Sequence, residues 1–203
     1  MKNRIKKQVK CGIVILAAGD SRRLGEPKQM LSYRGKTLIS TAAETAMATG
    51  LEPLVVVLGA QIDSLIPELE PYGLKIVVNK HWQEGMSSSL RIGLETAIKE
   101  KGELEAIIFM VCDQPFVTPE LLLELVERAS DESKLCVASK YGEVRGTPAL
   151  FRKQLFPALF TLKGDVGARK LMEQYETQVE LVDFPLGIID IDTKNDYETF
   201  LKE

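Results

Sequence analysis

Short apolar runs that alternate with helical patterns constrain the fold of this chain more than any other feature. Apolar runs such as Ile107–Val111 are hydrophobic at every position, which is typical of parallel strands covered on both faces. The strand patterns are Gly12–Ala17, Leu54–Leu58, Leu74–Asn79, Ala106–Cys112 and Leu135–Ser139, and the helix patterns are Thr37–Thr49, Gln61–Leu69, Ser87–Lys101 and Pro119–Ala129. This alternation predicts an α/β fold with a Rossmann-like, doubly wound, mostly parallel sheet. Ligands of such sheets bind beyond the carboxyl ends of the strands.

The length of 203 residues predicts one domain, and we expect it to span 11–203 after a basic tail at 1–10. The alternation breaks after Ser139, so 140–184 is expected to cover one side of the sheet and to bind a second substrate. The net charge of −3 argues against a nucleic-acid partner.

No apolar run approaches membrane-spanning length, which argues against a membrane association. The three cysteines are odd in number and lie in strand patterns. We expect them to be buried free thiols in a reducing compartment, the cytoplasm.

The loop after the first strand reads VILAAGDSRRLGEPKQ over 14–29. Gly19 and Gly25 let the backbone wrap closely around a ligand, and inward-pointing amides there would form an anion nest. Arg23 and Lys28 supply fixed positive charge for phosphate. The spacing is neither a Walker loop nor a G-x-G-x-x-G fingerprint. A solvated basic turn is the alternative interpretation.

A second polar segment runs from Asn79 to Leu90, where three serines follow Gly85. One serine can cap the helix, and three give a polar rim at its positive end, which suits a ribose, base or phosphate. The alternative is simply a well-capped helix. His81, the only histidine of the chain, is interpreted as a surface or packing residue.

Two acidic segments are candidates for a metal site. Asp113 ends an apolar strand, and Thr118 is the better cap for the next helix, so Asp113 is left for Mg²⁺ beside a triphosphate. Asp190 and Asp192 would share one face of a strand, where a cation could relieve their repulsion. The alternatives are a capping role for Asp113, a surface position for Asp190 and turn chemistry for Asp192.

Two weaker segments, Arg145–Phe151 and Lys163–Arg169, pair glycine with arginine and alone would be interpreted as ordinary turns. In sequence order, these segments together resemble the MobA-like nucleotidyltransferases. The motif L-A-A-G-x-S-x-R-x-G-x-P-K is similar to the signature of that family, and its Ala-Ala-Gly form resembles the molybdenum cofactor cytidylyltransferase branch. The fold that this resemblance implies is of the nucleotide-diphospho-sugar transferase type.

The resemblance implies a role for each motif. The triphosphate would be held by Arg23 and Lys28, which act in catalysis together with Asp113. The metal ligands would be Asp113 with Asp190 or Asp192. The nucleotide would contact Leu16, Ala17, Ala18, Gly19, Ser21, Asn79, Gly85, Ser87 and Ser88. The acceptor would contact Gly146, Pro148, Gly164, Asp165 and Arg169, although Thr147 stands where many of these enzymes have histidine.

The function implied is Mg²⁺-dependent transfer of CMP from CTP to molybdenum-bound molybdopterin, which releases pyrophosphate. The dinucleotide cofactor would serve a molybdenum hydroxylase such as xanthine dehydrogenase, which would be the client of this protein. Two alternatives stay open: a cytidylyltransferase for another phosphorylated metabolite, and a non-catalytic carrier of the cofactor. Intact Lys28 and Asp113 argue against the carrier, because a carrier needs no triphosphate and metal site.

Overall fold

The computed structural model of the protein describes residues 9–20, 25–191 and 194–200. The strands in these ranges are β1 (Cys11–Ala17), β2 (Ser32–Tyr33), β3 (Lys36–Thr37), β4 (Leu54–Leu58), β5 (Lys75–Val78), β6 (Ala106–Val111), β7 (Cys136–Tyr141), β8 (Val144–Arg152) and β9 (Val179–Asp183). The helices are α1 (Leu38–Ala48), α2 (Ile62–Leu69), α3 (Met86–Glu100), α4 (Pro119–Arg128), α5 (Phe156–Thr161), α6 (Arg169–Gln174) and α7 (Lys194–Phe200). None of these helices has the length and apolar character needed to cross a membrane.

Seven strands form one sheet in the order β5-β4-β1-β6-β8-β7-β9. Neighbours pair in parallel except at β8, which runs antiparallel to both β6 and β7. The predicted α/β fold with a mostly parallel sheet is confirmed. The five strands and four helices predicted from apolar patterning are also present, with ends that differ by one or two residues.

The sheet is covered on both faces, which explains the continuous apolar strands. In β1, Ile13 and Ile15 face the core beneath α1, α2 and α4, whereas Val14 and Leu16 face the core beneath α3, α5 and α6. Every residue of β1 is buried. Alternating side chains must therefore be apolar on both faces, as parallel sheets require.

The region 140–184 departs from the expectation. It does supply α5 and α6 to one face of the sheet, but it also supplies β8 and β9 to the sheet itself. The β7–β8 hairpin turns at Gly142, whose φ of +57° is a backbone conformation that glycine adopts without strain. A hairpin strand inserted between β6 and β7 interrupts the strand–helix alternation, so this part of the sheet was not predicted.

The helix that follows the second polar segment packs unusually close to the sheet. A side chain at Gly93 of α3 would place its Cβ 2.5 Å from Val14 Cγ1 and 2.9 Å from Val57 Cγ2. Glycine at this position lets α3 approach β1 and β4 closely. The amino terminus of α3 is thereby held at the carboxyl edge of the sheet.

Candidate active site

A cleft of about 360 Å³ opens at the carboxyl ends of β1 and β6. Eight of the predicted site residues line it: Leu16, Ala17, Ala18, Gly19, Lys28, Gly85, Asp113 and Asp165. Residues far apart in sequence therefore meet at the sheet edge where α/β folds bind ligands. Ser21, Arg23 and Asp192 lie outside the described residues, and their roles stay predictions.

Gln29 closes the glycine loop onto its own start. Its buried side chain donates from Nε2 to the carbonyl of Ala17 at 3.1 Å and to the carbonyl of Gly19 at 2.9 Å. These bonds fix the turn that presents Lys28 to the cleft. Gln29 was not predicted as a site residue, although its polar amide stands between Lys28 and the apolar pair Met30–Leu31.

Lys28 and Asp113 form an ion pair inside the cleft, with Lys28 Nζ donating to Asp113 Oδ2. The two side chains are only 20% and 11% exposed. Burial by itself lowers the pKa of Lys28, but the charge and hydrogen bond of Asp113, with Asp190 nearby, outweigh burial and raise that pKa above its ordinary value. The sequence leaves Asp113 for Mg²⁺, whereas in this structure Asp113 also pairs with Lys28.

One oxygen of this carboxylate is still orphaned. Asp113 Oδ1 is buried and has no hydrogen-bond partner among the described residues. A buried acceptor left in this state costs about 1–3 kcal/mol, more if it is charged. A divalent cation suits such an atom, because Mg²⁺ binds to one or two carboxylates together with phosphate oxygens. The residues present therefore fit a metal beside the nucleotide phosphates.

The segment that carries Asp190 is not the strand predicted from alternation. A 3₁₀ helix, Pro185–Ile188, is followed by extended chain outside the sheet, and Pro185 begins that helix. Asp190 is exposed, yet it lies near enough to Lys28 to raise the pKa of its ammonium. Within 9–20, 25–191 and 194–200, no three His, Cys, Asp or Glu side chains form a metal-binding cluster. Whether Asp190 or Asp192 is a ligand stays a prediction.

Asn79 organises the start of α3 through buried hydrogen bonds. Its Nδ2 donates to Ser88 Oγ at 2.7 Å and to Ser89 Oγ at 3.0 Å, and its Oδ1 accepts from the backbone of His81 at 2.9 Å. Ser88 Oγ in turn lies 2.8 Å from the carbonyl of Gly85. Asn79 and Ser88 therefore make hydrogen bonds inside the 79–90 segment, whereas Ser89 lines the cleft.

The expectation that a serine caps α3 is wrong. Gly85 is the N-cap, with φ +98° and no side-chain cap, and the serines follow within the first turn. Gly85 packs too tightly for a side chain, since an added Cβ would lie 2.5 Å from the backbone carbonyl carbon of Gly164. Ser87 Oγ is buried with no hydrogen-bond partner among the described residues. Its contact with a nucleotide stays a prediction.

The predicted acceptor residues do not all lie at the cleft. Gly164 and Asp165 pack against Gly85 at the cleft. Arg169 is exposed on α6, 3.8 Å from Glu173, and lines a different groove together with Arg145. The structure thus does not bring Arg169 into the cleft with Asp165.

Gly146 and Pro148 lie on β8, where both have structural contacts. An added Cβ at Gly146 would lie 2.0 Å from the Tyr141 hydroxyl oxygen, and the Pro148 carbonyl accepts from Ser139 Oγ at 2.7 Å. Thr147 between them donates from Oγ1 to Gln114 Oε1 at 2.9 Å. The role of Gly146 and Pro148 toward an acceptor stays a prediction.

Several residues that line the cleft were not among the predicted site residues: Gln29, Trp82, Gln83, Met86, Ser89, Val111 and Cys112. Burial, reinforced by the neighbouring Asp113 carboxylate, raises the pKa of the Cys112 thiol, so this side chain stays protonated. All three cysteines are buried free thiols, as predicted. His81 is exposed at the surface, also as predicted.

A mostly parallel sheet that places a glycine loop, a lysine and a strand-end carboxylate around one cleft defines a nucleotide-binding α/β protein of the transferase type. Residues 13–179 match the family described as MobA-like NTP transferase domain. The chain belongs to this family, which confirms the resemblance drawn from its motifs.

Three curated relatives illustrate the range of the family. The nicotine blue oxidoreductase of Paenarthrobacter nicotinovorans is 37% identical over 179 residues, covering 84% of this chain and 85% of the relative. The purine catabolism protein PucB of Bacillus subtilis is 31% identical over 168 residues, covering 79% of each. A probable molybdenum cofactor guanylyltransferase of Geobacillus is 25% identical over 141 residues, covering 70% of this chain and 69% of the relative.

Solved structures agree in fold over the whole chain. Rv0371c from Mycobacterium tuberculosis H37Rv superposes with a TM-score of 0.84 at 28% identity, covering 97% of this chain and 100% of that one. A structure of the same protein in complex with manganese superposes with a TM-score of 0.79 at 27% identity, covering 96% and 100%.

Proposed function

We propose that this protein is a Mg²⁺-dependent cytidylyltransferase that joins CMP from CTP to molybdenum-bound molybdopterin. The observation that carries the proposal is the Lys28–Asp113 pair in the cleft, with the buried Oδ1 of Asp113 left for a cation. Family membership supports the nucleotidyltransferase class, and the manganese complex of Rv0371c supports a divalent metal.

In the proposed reaction, the terminal phosphate oxygen of the acceptor attacks the α-phosphorus of CTP. A new P–O bond forms, the bond to the β-phosphate oxygen breaks, and pyrophosphate leaves with its electron pair. The acceptor phosphate is already an anion, so the reaction needs no strong base. Catalysis then depends on positioning and on neutralising charge in the cleft.

The cleft residues divide this work between them. Lys28, with Arg23 from the glycine loop, would offset the charge of the β- and γ-phosphates. Asp113, with Asp190 or Asp192, would hold the cation, which as a Lewis acid reduces charge on the α-phosphate. On binding a nucleotide, Lys28 would exchange its bond to Asp113 for phosphate oxygens, leaving both carboxylate oxygens of Asp113 for the cation.

The choice of base is proposed to depend on Ala18. Its carbonyl accepts from the backbone of Ala60 at 3.2 Å, which fixes the residue at the cleft wall. A Cβ added at Gly59 would lie 2.8 Å from Ala18 Cβ and 2.7 Å from Trp82 Cβ, so the methyl of Ala18 is packed close to the backbone of Gly59. A fixed methyl narrows the space beside the base and favours a pyrimidine over a purine.

Ala18→Gly should therefore erode the preference for CTP without abolishing activity. We expect CTP to be preferred to GTP and ATP by more than about tenfold in the wild-type protein, since one small group in a pocket contributes about 1–3 kcal/mol. Competition between equal CTP and GTP measures the preference, with Ala48→Gly, the same change at an exposed position at the end of α1, as the matched control. Predominant transfer of GMP by the wild-type protein would contradict the cytidylyl assignment and leave the nucleotidyltransferase class intact.

Trp82 provides a direct measurement of nucleotide binding. It is the single tryptophan of the chain and it lines the cleft. A nucleotide base that binds beside it should quench its fluorescence in a saturable way, because aromatic side chains interact with bases at close range. We expect CTP with Mg²⁺ to quench the emission and Lys28→Ala to weaken the titration. Binding seen by calorimetry without any change in emission would place the base elsewhere.

The acceptor and the client are proposed from the relatives. The relatives named molybdenum cofactor guanylyltransferases support a molybdopterin-type acceptor, and PucB is named for purine catabolism. We therefore propose as client a molybdenum hydroxylase that oxidises a purine, such as xanthine dehydrogenase. The three buried free thiols fit the reducing cytoplasm as the place where it acts.

A second candidate function comes from the relative that is named an oxidoreductase. Its 37% identity to this chain favours a shared activity. Against it, the loop after β1 lacks the G-x-G-x-x-G spacing of dinucleotide-binding oxidoreductases. An assay that follows pyrophosphate separates the two candidates, because a redox reaction releases none.

A further inference from the structure

Gln114 connects three segments of the site through one buried side chain. Its Nε2 donates to the carbonyl of Gly187 at 3.1 Å, and its Oε1 accepts from Thr147 Oγ1 at 2.9 Å. Gln114 itself directly follows Asp113, and it is only 7% exposed. One amide therefore joins the loop after β6, the strand β8 and the 3₁₀ helix Pro185–Ile188.

The 3₁₀ helix is held firmly at its bonded residue. Gly187 is buried, and an added Cβ there would lie 2.6 Å from both Phe184 Cδ1 and Tyr141 Cδ1. Asp190 follows three residues later on the same segment, so its place depends on where the 3₁₀ helix is held. The position of the Asp190 carboxylate relative to Asp113 is thus linked to the bond between Gln114 and Gly187.

We propose that Gln114 is a positioning residue that holds the Asp190 segment beside Asp113. The same side chain would also hold the Gly146–Pro148 part of β8 in position relative to Asp113. Its two bonds have separate consequences. The bond to Gly187 sets the geometry of the carboxylates that face the cation, and the bond from Thr147 sets the strand that faces the acceptor. The role of Gln114 toward the acceptor rests on the proposed function, whereas its effect on metal affinity can be measured without turnover.

Gln114→Met keeps the length of the side chain and removes both hydrogen bonds. Loss of a group that orients metal ligands typically lowers metal affinity by about 10–100-fold, so we expect Mn²⁺ to bind at least about tenfold more weakly. Mn²⁺ alone is titrated against the purified protein by electron paramagnetic resonance, with thermal unfolding measured in parallel. Gln174→Met, the same change at an exposed position on α6, is the matched control and should bind Mn²⁺ as the wild type does.

Thr147→Val removes only the bond between β8 and Gln114. It should leave Mn²⁺ affinity unchanged and raise the KM for the acceptor without a matching fall in kcat, while Thr147→Ser, which keeps the hydroxyl, should restore the wild-type KM. If the bond between Thr147 and Gln114 served only stability, Thr147→Val would lower the unfolding temperature and would not raise the KM for the acceptor selectively.

Wild-type Mn²⁺ affinity in Gln114→Met would overturn the inference, as would equal weakening of Mn²⁺ binding by Thr147→Val. If Gln114→Met does not fold, Gln114→Asn provides the same test, since it is one methylene shorter and cannot span both partners. A wild-type protein that binds Mn²⁺ but transfers no nucleotide would contradict the proposed function alone. The Mn²⁺ result for Gln114→Met would still decide this inference.

Discussion

Asp113→Ala should slow nucleotidyl transfer by at least about a hundredfold, the usual scale for losing one group that stabilises developing charge. Asp113 lines the cleft and pairs with Lys28, and its Oδ1 is the buried oxygen left for a cation. Asp113→Asn keeps the shape of the side chain and should lose nearly as much activity, because a neutral amide is a poor ligand for Mg²⁺. Steady-state pyrophosphate release measures both variants.

The alanine variant also removes the hydrogen-bonded carboxylate from the partly buried ammonium of Lys28. Removing one partner of such a pair destabilises a protein, so thermal unfolding must accompany the rate measurement. The matched control is Asp63→Asn, an exposed carboxylate in the first turn of α2, which should retain full activity. Near-wild-type turnover of Asp113→Ala, or full activity of the wild type in EDTA, would refute the metal role of Asp113.

Lys28→Ala should remove about 2–4 kcal/mol of transition-state stabilisation, a loss of roughly 30- to 1,000-fold in kcat/KM. The raised pKa of Lys28 keeps its ammonium charged at neutral pH, so the residue can neutralise phosphate throughout the physiological range. Kinetics at varied CTP measure the loss. Lys36→Ala is the matched control, since Lys36 is exposed and pairs with Glu44 on α1.

Arg23→Ala should have an effect of the same size as Lys28→Ala, and Arg22→Ala a much smaller one. The expectation follows from the family motif, because 21–24 lie outside the described residues. If Arg22→Ala proved as damaging as Arg23→Ala, the alignment of the glycine loop would be wrong by one position. If Lys28→Ala kept the wild-type kcat/KM, the proposed role of Lys28 in binding the triphosphate would be refuted.

The parts of the fold that follow from local patterning were predictable from sequence. β1, β4 and β6 are short apolar runs, and burial on both faces requires apolar residues at every position in such strands. The N-cap at Thr118 was predictable for a similar reason, since its hydroxyl accepts from the backbone of Leu121 within one turn. In both cases, the residues that determine the structure lie within a few positions of one another in the sequence.

The parts that depend on partners distant in sequence were not predictable. Asp113 was identified from the end of its strand, but its pairing with Lys28 joins residues 85 positions apart. Gln114 and Gly187 are 73 positions apart, and their bond lies in the 3₁₀ helix Pro185–Ile188, after which Asp190 lies outside the sheet and not in the predicted strand. The N-cap of α3 is Gly85 because the Gly164–Asp165 turn fills the space where a side chain would lie.

The central claim is that this chain transfers a nucleotide from CTP to a phosphorylated pterin, and transfer of the labelled α-phosphate tests it most directly. The protein is incubated with CTP labelled at the α-phosphate, Mg²⁺ and molybdenum-bound molybdopterin, with Asp113→Asn in parallel. We expect the label to move to the acceptor in step with pyrophosphate release, and EDTA or Asp113→Asn to suppress both. If CTP releases no pyrophosphate and leaves the acceptor unlabelled, the claim is contradicted.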